Sequence, residues 1–210
     1  MIGPDKKRLQ YLSWLTLFGM SAIGALLIEY FQGRSIKSVL LGYEPHYHHV
    51  GHKVYYLQVA AGLFYGSFAA VLAIILIQIK RFRNVRGFFE STIGDINPSF
   101  INILFFSFCA SVGEEILFRA GLQPIVGIWP AAMVFVLLHG YINPSNFNLS
   151  IYGLFLIVVS AGFGYLFRFF GLFAAISAHF IYDVTMFCAL KYAYKRGKMQ
   201  DQTSIISGTK

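Results

Sequence analysis

The chain is short of charge. Of its 210 residues only 12% are Asp, Glu, Lys or Arg, while 57% are apolar. No charged side chain occurs from Ala120 to Phe167 or from Tyr55 to Ile79. A soluble domain of this length needs far more surface charge, and a disordered one far less apolar content, so both are excluded. Each uncharged run meets the roughly 20 residues that a spanning helix requires, so the solvent is a bilayer. Cysteine is scarce too: Cys109 and Cys188 both lie inside apolar segments, which excludes a disulfide framework and a zinc ribbon.

What charge there is leans to one sign, a formal +8. The bases sit beside apolar runs instead of forming a polar domain with interleaved aromatics, so membrane topology accounts for them and nucleic acid is not an expected partner. Lys6, Lys7 and Arg8 precede an apolar stretch from Leu9 to Ile28 that is too long for a signal-peptide core and lacks a small-residue exit. It reads as a retained first span. The hydropathy pattern predicts an all-α polytopic membrane helix bundle with six spans, at about 9–30, 55–79, 99–123, 127–143, 150–168 and 171–192. Gly33, Pro98, Pro124, Pro144 and Gly171 are placed as the punctuation between them. With the N-terminus inside, twelve basic residues fall on inner segments and four on outer ones, so both termini are expected in the cytoplasm, in a bacterial inner membrane.

Apart from Glu29 at the outer end of the first span and residues at the span ends, few ionisable side chains remain within the spans: Glu114, Glu115, Arg119, His139, His179 and Asp183. Charge at mid-bilayer is costly, so such residues face the bundle interior and mark function. Glu115 and Arg119 are four apart on one helix and can pair; Glu114, rotated by about 100°, has no local partner. His179 and Asp183 are also four apart. Measured at about 1.5 Å per residue, Glu114 lies ~14 Å in from Gln123, His139 ~18 Å in from Gly127, and His179 and Asp183 ~12 and ~18 Å in from Gly171. One level near mid-membrane thus holds all four. A carboxylate and two imidazoles converging in a dry cavity can activate water as general bases, or hold a metal that does so. Other proteolytic devices are missing: there is no His-Glu-x-x-His, no second intramembrane Asp to pair with Asp183, and no Gly-x-Ser-x-Gly elbow. A proton or ion relay built from the same groups, and a peptide-binding immunity scaffold without activity, remain as alternatives.

The run Glu114-Glu115-Ile116-Leu117-Phe118-Arg119 resembles the Glu-Glu-x-x-x-Arg motif of the CAAX protease and bacteriocin-processing (CPBP, or Abi) family of intramembrane endopeptidases. Phe135 to His139 resembles its Phe-x-x-x-His motif, and His179 to Asp183 its His-x-x-x-Asn/Asp motif. The resemblance covers a catalytic bundle at about 98–192; two N-terminal spans with an amphipathic linker (1–97) and a polar cytoplasmic tail (193–210) complete what is expected to be one integrated membrane domain. The resemblance implies a helix bundle around an intramembrane catalytic cavity and hydrolysis of a peptide bond in a peptide or protein substrate, lipidated or not. It further implies that Glu114 activates water with His139, that His179 and residue 183 stabilise the oxyanion, and that Glu115 and Arg119 support the site. Where the prenyl-protein branch carries Asn, this chain has Asp183, whose carboxylate cannot donate to an oxyanion; it is expected to orient and charge His179 instead. Glu114, His139, His179 and Asp183 could also supply a zinc site with an open position, but no closely spaced His pair nucleates one, and the preferred reading needs no cofactor.

Three features lie outside those motifs. His46, His48, His49 and His52 crowd one loop whose spacing fits no closed tetrahedral pattern. Arg81 to Phe89 alternates bases with aromatics as a helix on anionic lipid does. The tail from Lys195 is polar and expected to be unstructured. Phe118 and Phe135 read as core packing.

Overall fold

The computed structural model describes residues 6–41 and 55–206, so the His46–His52 loop lies outside the described residues. Among them there is no strand. Five helices are long and apolar enough to cross a membrane: α1 (Lys7–Phe31), α3 (Tyr55–Gln78), α5 (Phe100–Val126), α7 (Phe147–Phe170) and α8, whose apolar part is Leu172–Gln200. Shorter elements join them: α2 (Ile36–Leu41) after α1, α4 (Arg83–Ile96) between α3 and α5, and α6 (Ile128–Leu138) between α5 and α7. The outer surface of α1 is apolar, with Tyr11, Leu15, Phe18 and Leu26 all exposed, as a lipid-facing helix should be.

Contacts fix the direction of each helix. Arg119 and Gln123 of α5 bond to Ser160 and Gly164 of α7, each pair advancing by four, so the two helices run parallel. Lys191, near the far end of α8, donates to the carbonyl of Pro98 at the start of α5, while His179 reaches Glu115, so α8 runs antiparallel to α5. Gly62 and Gly66 of α3 lie against Ala174, Ser177 and Ala178 of α8 so closely that a Cβ at either would meet α8 backbone, the small-residue contact by which membrane helices approach. Gly113 against Thr16 and Gly121 against Gly24 seat α1 along α5 in the same way.

The expected fourth span differs. Its helix, α6, has 11 residues, about 17 Å at 1.5 Å each, roughly half of a ~30 Å hydrocarbon core. It starts where Ile128 meets Gly164, yet α7 starts where Asn148 bonds to Arg81 at the other end of the bundle. Residues 139–146 therefore complete the crossing without helix. Gly140, at φ +73°, ends the helical path, and Ser150 accepts from the amide of Asn143 and donates to its carbonyl, so the freed backbone is satisfied from within the protein. Six passes result, and the first helix begins at the end of the bundle where the last one finishes.

Other boundaries also move. Pro124 does not end α5; it sits in the turn after a stretch of wider, i to i+5 bonding over Ile116–Leu122, where a missing N–H costs little, and Gly127 at φ +92° is the real stop. The tail is not unstructured from Lys195, because α8 continues to Ile206. α4 is amphipathic as expected: Val85, Ile93 and Ile96 are buried, and Phe88 and the bases Arg83 and Arg86 are outward.

Candidate active site

Glu114 and Glu115 lie midway along α5, immediately before the widened turns. Widened turns of this kind concentrate at functional sites because they re-aim side chains. Glu115 and Arg119 are both fully buried and bond at 2.9 Å, Arg119 Nε to Glu115 Oε2. The guanidinium also donates from Nη2 to Ser160 Oγ at 2.8 Å and lies over the ring of Phe135. The other oxygen of Glu115, Oε1, accepts from His179 Nδ1 at 2.9 Å. One carboxylate thus ties α5 to α8 and, through Arg119, to α7.

Glu114 points elsewhere. Its Oε2 is buried without a hydrogen bond and lies 3.6 Å from His139 Nε2 and 3.9 Å from His179 Nε2. Asp183 Oδ2 is 3.6 Å from His179 Nε2. These separations exceed a direct hydrogen bond and fall within a single water bridge. The ring tautomers follow from the acceptors on the other nitrogens. His139 Nδ1 faces the carbonyl of Phe135 at 2.7 Å and His179 Nδ1 faces a carboxylate, so both Nδ1 atoms carry hydrogen and both Nε2 atoms turn toward Glu114.

Helices α4 to α8 and the irregular segment border a cavity of about 380 Å³ whose lining includes Glu114, His139, His179, Asp183 and Ser160. Its remaining wall is aromatic and aliphatic in about equal parts. Phe135 lies tilted against His139 at 4.3 Å and meets His179 edge-on at 5.9 Å; Phe163 stacks on His179 at 5.5 Å. A second, smaller space of about 180 Å³ shares Asp183, Phe187, Ile93 and Ile96 with the first and reaches Leu9 and Leu12 of α1.

The six residues singled out by sequence are therefore brought together, with two corrections. Asp183 is not the hydrogen-bond partner of His179; Glu115 is, because Arg119 occupies only one of its oxygens and leaves the other aimed across at α8. Phe135 is more than core packing, since it contacts both imidazoles and the guanidinium. Phe118 is 2% exposed and packs edge-on against Phe135, as expected. Ser160, Phe163, Tyr141, Tyr152 and Tyr182 were not anticipated. Ser160 and Phe163 lie in an uncharged span that offers no sequence contrast, and only spacing could have found Tyr182, three residues after His179 on the same face.

Among the described residues no group of three or more His, Cys, Asp or Glu is set to hold a metal.

Residues 96–185 match the family model described as type II CAAX prenyl endopeptidase Rce1-like. This is consistent with the CPBP family, and the Rce1-like segment contains all six site residues. At the family level the match is to a membrane protease. A protein of Bacillus subtilis (strain 168) named "Uncharacterized protein YpbD" is 32% identical over 104 residues, 48% of this chain and 52% of the relative. The chain thus spans about half the length of the curated relative it matches. No solved structure matches.

Proposed function

We propose that the protein is an intramembrane endopeptidase of the glutamate type, in which Glu114 with His139 activates a water. The observation that carries this is the convergence of two imidazole Nε2 atoms on one buried, unbonded carboxylate oxygen, Glu114 Oε2. A water in the cavity, hydrogen-bonded to Glu114 and His139, gives its proton to the Glu114 carboxylate as its oxygen adds to the peptide carbonyl carbon. His179 in its imidazolium form, held by Glu115, donates Nε2–H to the resulting oxyanion, and Asp183 favours that charge. The C–N bond then breaks, and the proton on Glu114 passes to the leaving amine. No step runs through a metal.

The substrate is a peptide or protein segment, lipidated or not, that reaches the cavity from the membrane. The protein sits in a bacterial inner membrane with both ends cytoplasmic. The bases Lys80, Arg81, Arg83, Arg86, Lys191, Lys195, Arg196 and Lys198 support that sidedness, because they lie toward the end where the chain enters and leaves the bundle. Purified protein in liposomes, offered quenched peptides and prenylated CAAX peptides, tests the reading. Specific cleavage is expected; intact peptides together with proton flux would make the cavity a relay instead.

A further inference from the structure

Hydrolysis at this site is short of hydrogen-bond donors. Glu114 and Asp183 accept only as carboxylates, and both imidazoles spend Nδ1–H on other acceptors. Thr92, on the α4 side of the cavity, donates its hydroxyl to the carbonyl of Phe88, and Ser160, in the cavity wall beside Arg119, accepts from the guanidinium and keeps only its own O–H. Among the ionisable groups of the site His179 Nε2–H alone would face the oxyanion, with two carboxylates competing for it at 3.6 and 3.9 Å. An oxyanion in a water-poor site usually has more than one preorganised donor.

Tyrosine can make up the deficit. Tyr152 of α7 and Tyr182 of α8 both border the cavity, and their hydroxyls lie 3.4 Å apart, a long contact in which only one of the two can donate. Two hydroxyls carry two protons and their mutual contact uses one, which leaves one phenolic O–H for the cavity. The placement favours that use. Tyr182 shares a helix face with His179 and Asp183, and Phe163 packs against both His179 and Tyr182. We propose that the Tyr152–Tyr182 pair supplies a second hydrogen-bond donor to the oxyanion, in the place where Asp183 cannot.

The inference rests on the proteolytic reading and is tested in the same assay once a cleaved peptide is in hand. The double variant Tyr152→Phe/Tyr182→Phe should lose about 10²-fold in kcat with KM little changed. Adding Asp183→Asn, whose amide can donate, should recover a large part of that loss. Thermal unfolding in detergent should show the Phe variants still folded. A double variant that keeps its kcat, loses only in KM, or gains nothing from Asp183→Asn overturns the donor role while leaving proteolysis standing. Wild-type protein that cleaves nothing overturns both.

Discussion

His179 Nδ1 and Glu115 Oε1, 64 positions apart in sequence, meet at 2.9 Å in the middle of the bundle. This bond decides which nitrogen of His179 faces Glu114, and it does so from a carboxylate that Arg119 already holds. Support and chemistry are therefore divided between adjacent glutamates, Glu115 facing the protein and Glu114 the cavity.

Breaking the supporting pair should be costly. Glu115→Gln leaves a fully buried guanidinium without its counter-charge, and loss of one partner from a buried pair destabilises by about 3–5 kcal/mol. Glu115→Gln combined with Arg119→Met should cost less than the two single changes added together, because the residues contact each other. Thermal unfolding of the four proteins in detergent checks this; additive losses would mean that the pair is not coupled.

The contact between α3 and α8 depends on absent side chains. Gly66→Leu places a branched side chain where the carbonyl of Ala178 now lies, one position from His179, and must push the helices apart. Lower thermal stability and lost activity are expected together. Gly87→Ala, on α4 where a Cβ meets nothing within 4 Å, serves as the matched control and should change neither.

Chelation should be without effect. The preferred mechanism uses no metal, so treatment with 1,10-phenanthroline or EDTA should leave cleavage at its untreated rate, and metal analysis of the active protein should give far less than one equivalent. Activity lost to chelator and restored by zinc would move Glu114, His139, His179 and Asp183 to a ligand role.

Six passes, one of them half irregular, place Arg86 and Lys198 on the same side of the membrane and Lys37 on the other. Single cysteines at these positions, in a background with Cys109 and Cys188 replaced, should react with an impermeant maleimide accordingly in sealed vesicles. Labelling of Lys198→Cys from the side of Lys37→Cys would show that residues 139–146 do not complete a crossing.

The fold was legible because lipid demands long uncharged runs, and five of the six expected spans are helices of spanning length. Hydropathy does not register where a helix stops inside such a run, so the early end of α6 at Leu138 and the non-helical descent through Tyr141 were invisible. Proline misled for a related reason: Pro124 reads as a break only if the preceding turns are regular. At the site, Glu114, His139 and His179 stood out because ionisable residues are rare in apolar surroundings. The i, i+4 rule that paired Glu115 with Arg119 was equally ready to pair His179 with Asp183, but it sees only neighbours on one helix. The bond from Glu115 comes from another helix and takes Nδ1, while Asp183 stands 3.6 Å from Nε2.

The most direct test of the account is the turnover of a cleaved peptide by the Glu114→Gln variant, with folding monitored alongside. Glutamine keeps the shape of the side chain and cannot take the proton from water, so kcat should fall by about 10²–10⁴-fold or below detection while thermal stability is retained. A folded Glu114→Gln protein that cleaves at the wild-type rate would contradict the assignment of Glu114 as the base.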